Sequence, residues 1–419
     1  MSNTLKKSNP LVWLLDPLQS TSDQASEAYR FSGTASSWLL PAGIGLAALV
    51  MTLVSWVTDP KQFYISYLIG WTFCVSLALG GLFFVLIQHL TQAYWSVVIR
   101  RISEVLIWSF PMLFVLAIPL YFGMHDLYHW THHELFDPAD PAYDSIIAGK
   151  EGYLNVPFFI ARIVAYFAIW SYFAYKLYTR SIGQDVAPDP SIPSKMRKTS
   201  AVGLVLTAIT TAFAGFDILM TLDPHWFSTI FGVYFFGGAF LNIMCFTVLI
   251  AMLLRRKGML KDVISTEHYQ DLGKFMFGFI VFWAYISYSQ YMLIWYANIP
   301  EETAFYRHRF EHGWGAYSAF LLVAHFIIPF FALISRGAKR TLPVLGFMAG
   351  WLLVMHWFDY FWVAMPTATD HASIHLVNIT AFIGLFGLLI ASVMYRLSRH
   401  SLVPQNDPQL ARSISFTNT

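Results

Sequence analysis

Long apolar stretches separated by polar connections run along the whole chain. A helix needs about 20 mostly apolar residues to cross the hydrocarbon core of a bilayer, and ten stretches of the 419-residue sequence reach this length. To within several residues they are Ser37–Val57, Phe63–His89, Glu104–Phe122, Leu154–Tyr178, Thr199–Leu222, Trp226–Leu254, Leu272–Ala297, Trp314–Ile334, Leu342–Val363 and Ser373–Tyr395. The pattern predicts an all-α integral membrane protein with about ten transmembrane helices.

Composition supports a lipid-facing surface. Only 12% of the residues are charged and 57% are hydrophobic, whereas a soluble domain carries about 25% charged residues. The net charge of +2 gives no indication of a nucleic-acid partner. The two cysteines, Cys74 and Cys245, each stand alone in an apolar run, which argues against an iron–sulfur cluster, structural zinc or c-type haem held by this chain.

The distribution of Lys and Arg predicts the orientation. Residues 1–36 lack the apolar core of a signal peptide and are expected to form a cytoplasmic arm. With this arm inside, only five of the 26 cations fall on the outer side, namely Lys61, Lys150, Arg162, Arg307 and Arg309. Because cytoplasmic loops are enriched in Lys and Arg, both termini are predicted to be cytoplasmic.

An internal repeat is visible at an offset of four helices. Phe216-Asp217 precedes Pro224 with the same spacing as Phe358-Asp359 precedes Pro366, and Val164–Tyr166 has its counterpart in Val323–His325. Such repeats are common in membrane proteins. The predicted organisation is an arm (1–36), a first transmembrane helix (37–62), two parallel-related four-helix bundles (63–222 and 226–363), a last helix (364–395) and a cytoplasmic tail (396–419).

Ionisable side chains inside hydrocarbon are costly and usually have a partner or a function. The candidates for a proton relay are His89 and Glu104 near the inner face, His325 in mid-membrane, and Arg162, Tyr166, Asp217, Asp223, His356 and Asp359 towards the outer face. Structural alternatives exist for several of them. Asp217 is expected to pair with Arg162 if its role is structural, and Asp359 to hydrogen-bond His356 or a neighbouring helix. Glu104 would then simply open a helix, favoured by the helix dipole and by pairing with two neighbouring arginines.

Haem and metal binding have weaker support. His356 and His375 are the only histidines placed to act as a haem pair, and they lie near the outer edge. The outer segment 123–153 contains His125, His129 and His133 at i,i+4 spacing, which would suit a metal if the segment were helical, although a solvated histidine-rich segment is favoured. No metal site is therefore predicted. The aromatic run 283–296 contains Ser287, Ser289 and Gln290, which are candidate contacts for a quinone head or a water chain.

Two regions of the sequence resemble a known family. The run Ser289–Glu302, preceded by Asp271–Lys274, and the run Ala214–Asp217, followed by Leu222–Trp226, are similar to the ActF-type subunit of bacterial alternative complex III. This is the smaller of two large polytopic subunits in the NrfD/polysulfide-reductase membrane-anchor group. The resemblance implies a fold of two four-helix bundles, a place in the bacterial inner membrane, and proton half-channels in the membrane pair.

The resemblance also implies partners. They are the paralogous membrane subunit ActC, which would hold the better quinol site, an iron–sulfur subunit, and multihaem and monohaem cytochrome c subunits, with a terminal oxidase as a candidate downstream partner. The substrate of the complex would be menaquinol or another quinol, and this chain would bind no cofactor itself. We therefore expect a non-redox, proton-conducting and scaffolding subunit of a quinol:electron acceptor oxidoreductase. A secondary transporter, or a purely structural membrane anchor, is the alternative.

Overall fold

The computed structural model describes residues 26–34 and 36–418, so most of the predicted cytoplasmic arm lies outside the described residues. The described part contains ten helices that are long and apolar enough to cross a membrane. They are α1 (Leu39–Thr58), α2 (Pro60–Thr91), α3 (Tyr94–Phe122), α4 (Val156–Val186), α5 (Ile192–Leu222), α6 (Phe231–Arg256), α7 (Thr266–Ala297), α8 (Trp314–Leu333), α9 (Leu342–Thr367) and α10 (Leu376–Arg399). The prediction of an all-α polytopic membrane protein is confirmed.

Several helices are longer than predicted. The chain turns from α2 to α3 within residues 92–93, so Arg100, Arg101 and Glu104 lie inside α3 and not in a loop or at its start. Likewise α4 continues to Val186 before α5 begins at Ile192, which leaves a short connection. Charged residues ended the predicted stretches in both places. Inside the protein Arg100, Arg101, Glu104 and Asp185 form ion pairs with one another, and the helices therefore accommodate these charges.

Two helices form the centre of the bundle. In an apolar stretch of 18 residues within each helix, all residues of α2 and 83% of those of α6 are buried, whereas only 17% of those of α1 are. They cross closely at Gly80, where an added Cβ would lie 2.0 Å from the carbonyl oxygen of Ala239. Small residues permit such close helix approaches in membranes. The crossing fixes the depth of the polar side chains on α2 and α6 relative to each other.

Burial follows a similar order in the two predicted repeats. In each four-helix set the first helix is the most buried, the third is largely exposed, and the fourth is about half buried. Cys74 and Cys245 are both buried, on α2 and α6 respectively. These features agree with the repeat seen in the sequence, and the division into two bundles stays a prediction.

Two spans depart from regular α-helix. In α3 the α-helical segments are Val97–Ile107, Phe110–Val115 and Ile118–Phe122, each of the last two beginning next to a proline. In α8 the residues Leu322–Ile327 form a π-helix. Pro329 follows it and has no N–H for the carbonyl of His325, while its ring would crowd that carbonyl in an α-helix. The π segment is a local adjustment of the kind often found at functional sites.

The C-terminal segment folds back onto the predicted inner end of the bundle. The amide of Leu402 donates to the carbonyl of Tyr29 at 2.9 Å, and the hydroxyl of Ser413 donates to the carbonyl of Trp95 at 3.1 Å. A side chain of α7, His268, lies 3.1 Å from the carbonyl oxygen of Ser413. The described part of the predicted tail, 396–418, is thus an ordered cap, and its first residues belong to α10.

Candidate functional site

The carboxylate of Asp359 is buried within the second predicted bundle and is held by neutral donors. It accepts a hydrogen bond from the hydroxyl of Tyr234 on α6 and another, 3.0 Å long, from the indole N–H of Trp283 on α7. In the part of the chain that the structure describes, no Lys or Arg forms an ion pair with Asp359. When a carboxyl held in this way ionises, no neighbouring positive charge compensates its negative charge. We call Asp359, Tyr234, Trp283, His356 and His325 the α9 cluster.

Two histidines complete the α9 cluster. The Nδ1 atom of His356 lies 3.8 Å from the carboxylate of Asp359, and the ring of His325 lies 4.0 Å from that of Trp283 and 6.3 Å from that of His356. Both histidines are fully buried, and among the described residues their four ring nitrogens have no hydrogen-bond partner. His325 lies in the π segment of α8. Unpartnered polar atoms are rare inside proteins and call for an explanation.

The other candidate aspartate has a different environment. Asp217, near the outer end of α5, accepts two hydrogen bonds of 2.9 Å from Arg162 on α4 and one of 2.7 Å from Tyr166. Arg162 also donates to the carbonyl of Tyr153 and lies over its ring at 3.8 Å. The two-pronged arginine–carboxylate geometry is the strong form of such a pair. The ion pair considered as the structural alternative for Asp217 is therefore present.

A third cluster, the inner cluster, surrounds Glu104. Its carboxylate accepts from Arg100 at 2.8 Å and from Ser181 at 2.5 Å, and it lies 3.3 Å from Arg101. Since α3 begins at Tyr94, Glu104 lies well inside the helix, and the predicted role of the helix dipole is wrong. Nε2 of His89 is 3.9 Å from Glu104. His89 and Glu104, predicted to act together, are thus neighbours.

Two more carboxylates close the inner cluster. Arg100 reaches Asp407 of the C-terminal cap at 2.7 Å, and Arg101 reaches Asp185 of α4 at 2.7 Å. The backbone amide of Gln405 donates to Asp185 at 3.0 Å. The C-terminal cap therefore supplies part of the charge balance at this end and covers Glu104, which is fully buried.

The helices α2, α3 and α6 carry further buried polar side chains without hydrogen-bond partners among the described residues. His356 packs on Gly238 of α6, where an added Cβ would lie 2.2 Å from its ring. Asn242 follows one turn further along α6, and Thr247 follows one to two turns later. Thr72 of α2 and Ser103 of α3 are also buried, and none of these four side chains finds a full set of partners within the described residues. We call Asn242, Thr247, Thr72 and Ser103 the core polar residues.

The three polar residues of the aromatic run do not converge. Gln290 accepts from Ser228 at 3.0 Å and donates to the hydroxyl of Tyr306 at 3.1 Å, while Ser289 is only half-buried and Ser287 has no partner among the described residues. Burial raises the pKa of Tyr306, which lies in the short helix Pro300–His308 after α7, to about 12. Tyr306 is therefore a neutral partner for Gln290 at physiological pH. As quinone contacts, these residues stay a prediction.

The outer segment 123–153 is folded, but not as one helix. Its histidines lie in short separate turns, with His125 stacked on His132 at 3.8 Å, so the i,i+4 arrangement for a metal does not form. Asp144 lies 2.6 Å from His225, which follows α5. Burial raises the pKa of Asp144, but His225 and the amides of Ile146 and Ile147 outweigh it and lower the pKa overall. Asp223 lies in this same outer region, apart from the other candidates.

Comparison with known proteins adds no identification. No protein-family model matches the chain, and no curated protein matches it. The fold, the α9 cluster, the inner cluster and the pair of Asp217 and Arg162 define a many-helix apolar membrane protein with buried polar groups at two levels.

Several functional candidates were missed in the sequence. Tyr234 is one of many aromatic residues in α6, and nothing in the pattern distinguishes it. Asn242 could have been found, because a single amide in an apolar run is unusual in a membrane helix. Asp185 and Asp407 were assigned to connections, where a charge needs no partner, and only the fold shows that both lie against arginines.

Proposed function

We propose that this chain is a cofactor-free integral membrane subunit of a quinol:electron acceptor oxidoreductase of the alternative complex III type, and that it conducts protons and serves as membrane scaffold. The α9 cluster is the observation that carries the proposal. A buried carboxyl with neutral hydrogen-bond donors, next to two histidines with unpartnered nitrogens, is arranged to accept and release a proton.

The neutral donors explain why Asp359 suits this task. Tyr234 and Trp283 stabilise the carboxylate by hydrogen bonds, and the same carboxyl becomes neutral on protonation without leaving a cation unpaired. A carboxylate held by arginine differs, because protonating it leaves a buried positive charge without its partner. For this reason we assign Asp359 the proton-exchanging role of an outer half-channel. For Asp217 the pair with Arg162 makes the structural role the stronger hypothesis.

Passage towards the inner cluster would use the core polar residues. Proton transfer requires groups linked by hydrogen bonds or by water molecules. Asn242 and Thr247 on α6, with Thr72 on α2, offer unpartnered polar atoms for such a path, and Ser103 lies directly before Glu104 on α3. Ser318 of α8 donates to the carbonyl of Arg309 and is therefore already occupied. The proposed route accordingly follows α2 and α6.

Membership of a redox complex rests on the resemblance of Ser289–Glu302 and of the three shorter runs. The sequence has only two cysteines, both buried and well apart in the chain. Electron transfer would accordingly belong to partner subunits with iron–sulfur clusters and c-type haems. The proposed location is the bacterial inner membrane, with both termini cytoplasmic.

One observation favours the alternative, a secondary transporter. The π segment of α8 interrupts a span next to the buried pair of His325 and His356, and interrupted helices mark substrate sites in many transporters. A transporter works without redox partners. The two functions therefore differ in whether the isolated chain moves an ion or solute by itself.

Purification from native membranes tests the proposal. The chain should be isolated with haem- and iron–sulfur-containing subunits, and vesicles containing this complex should translocate protons when quinol is oxidised. Vesicles with the isolated chain should show no solute-driven flux. Isolation of the chain without redox partners, together with solute uptake by the chain alone, would contradict the proposal and favour the transporter.

A further inference from the structure

The lipid-facing side of α7 carries strongly exposed aromatic rings along much of its length. Four of its aromatic side chains are strongly exposed, namely Tyr285 (64%), Tyr288 (63%), Trp295 (65%) and Tyr296 (85%). The exposed side chains of α5, by contrast, are apolar, with Val202, Val205, Ile209 and Phe213 as examples. We call the exposed residues Phe275, Gly278, Val281, Tyr285, Tyr288, Met292, Trp295 and Tyr296 the α7 face.

Depth distinguishes two of these tyrosines from an ordinary interfacial belt. Trp295 and Tyr296 lie at the end of α7, where aromatic residues commonly sit at the membrane surface. Tyr285 is eleven residues beyond the charged Lys274. At about 1.5 Å per residue this places it about 16 Å into a hydrocarbon core of about 30 Å. Hydrocarbon chains offer its hydroxyl no hydrogen-bond partner, and none is found among the described residues.

The α7 face also has the shape of a helix-packing surface. Exposed residues recur at intervals of three and four from Phe275 to Trp295, the spacing of a helix–helix seam. Gly278 has open space where a Cβ would be, and beside it lies a groove of about 580 Å³ whose walls include Trp95, Phe275 and Phe282. A glycine in a helix interior is less stable there than alanine, and a close helix approach would offset that cost.

The exposed area of the α7 face approaches that of a stable contact. Aromatic side chains bury about 150–250 Å² each, so the four exposed rings alone offer about 500 Å². A standard interface buries about 800 Å² on each partner. Met292, Val281 and the walls of the groove extend the α7 face towards that value.

We propose that the α7 face binds a transmembrane helix of a second polytopic membrane protein, which presents hydrogen-bond acceptors level with Tyr285 and Tyr288. Under the proposed function, on which this inference rests, that protein is the second large membrane subunit of the complex. Hydroxyls at this depth fit a protein helix better than lipid, because polar side chains and backbone carbonyls supply the acceptors that acyl chains lack.

Site-specific photo-crosslinking in the purified complex tests this inference. A benzophenone amino acid replaces Tyr285 in one variant and Val205, on the aliphatic face of α5, in the control. The 285 variant should link to a transmembrane peptide of the second polytopic subunit, and the 205 variant only to lipid or detergent. Lipid adducts alone at 285, or links to a second copy of this chain, would overturn the inference while leaving the proposed function intact. If the wild-type complex contains no second polytopic subunit, both this inference and the proposed function fail.

Removing only the hydroxyls provides an independent check. Interhelical hydrogen bonds in membranes contribute about 0.6 to about 1.4 kcal/mol, which corresponds to about threefold to about tenfold in affinity per hydroxyl. The double variant Tyr285→Phe/Tyr288→Phe should accordingly lose the second subunit at lower detergent concentration. The control Tyr172→Phe, at an exposed tyrosine of α4, should retain it. Equal retention in both variants would contradict the proposed contact.

Discussion

The hydroxyl of Tyr234 on α6 donates a hydrogen bond to the carboxylate of Asp359 on α9. The two residues are 125 positions apart in the chain, and the crossing of α2 and α6 helps to hold them at one depth. Tyr234 lies on a helix that leads towards the inner cluster. Among the described membrane-embedded acids, Asp359 is the one buried carboxyl that has no arginine beside it. It is therefore the point at which a proton path would meet the outer half of the protein.

Tyr234→Phe should slow proton movement without preventing assembly. Hydrogen bonds to charged groups contribute about 1.5–3 kcal/mol, so a path that needs the ionised form of Asp359 should slow by about tenfold or more. Proton release by vesicle-reconstituted complex measures this effect. Tyr67→Phe, which removes a hydroxyl bonded to the carbonyl of Leu116 on α3, is the control. Equal rates in the two variants would remove Tyr234 from the proposed path.

Asp217→Asn should lower stability more than it changes proton movement. Breaking a buried ion pair from one side costs about 3–5 kcal/mol, because the remaining charge is left unpaired. Thermal unfolding in detergent should therefore shift to lower temperature, and less complex should assemble.

The matched control replaces both partners. Arg162→Met/Asp217→Leu removes the pair without leaving a charge, and such replacements are often neutral or stabilising. It should recover most of the lost stability. If Asp217→Asn unfolds like the wild type but releases fewer protons, Asp217 takes part in the path and the structural assignment is wrong.

The C-terminal cap should protect the inner cluster. Asp407→Asn removes one of the two carboxylates that Arg100 contacts, so amide exchange in Val97–Ile107 should become faster. Asp262→Asn, at an exposed residue of the connection before α7, should leave this exchange unchanged. Hydrogen–deuterium exchange with mass spectrometry measures both. Unchanged protection in Asp407→Asn would show that the cap contributes nothing through this contact.

Topology is predicted by the cation distribution. Reporter fusions after Lys198, Lys257 and Arg399 should report a cytoplasmic location, and a fusion at Ala139 a location on the other side. Ala139 follows the third span, whereas Lys198 lies near the start of α5, Lys257 follows α6 and Arg399 ends α10, so the last three positions share one side and Ala139 lies on the other. A periplasmic reporter at Arg399 would reverse the proposed orientation and exchange the roles of the inner and outer clusters.

The sequence predicted the spans well because hydrophobic length is a local property. It predicted the helix ends poorly where charges are paired inside the fold. Arg100 and Arg101 look like loop residues until Asp185 and Asp407 are placed against them. Those partners lie 84 and 307 positions away in the chain, and no local pattern indicates such contacts.

The sequence identifies candidate residues by the type of their side chains, but the role of each residue depends on the side chains that bind it in the fold. Asp217 and Asp359 follow the same motif, with Phe before and Pro seven positions after. Only the fold separates them, because Arg162 binds the first and neutral Tyr234 and Trp283 bind the second. The repeat led to the expectation of equivalent roles for the two aspartates, and their different surroundings do not support that expectation.

The most direct test compares Asp359→Asn with the wild type in vesicles containing the intact complex. Asparagine keeps the shape of the side chain and one acceptor oxygen, which can still accept from Trp283 while its amide group donates to the hydroxyl of Tyr234, but it cannot exchange a proton at physiological pH. Quinol-driven proton translocation per electron should fall while the complex still assembles, and Asp359→Glu, which restores a titratable carboxyl, should recover part of it. An assembled Asp359→Asn complex with unchanged quinol turnover and unchanged proton translocation would contradict the proton-conducting role.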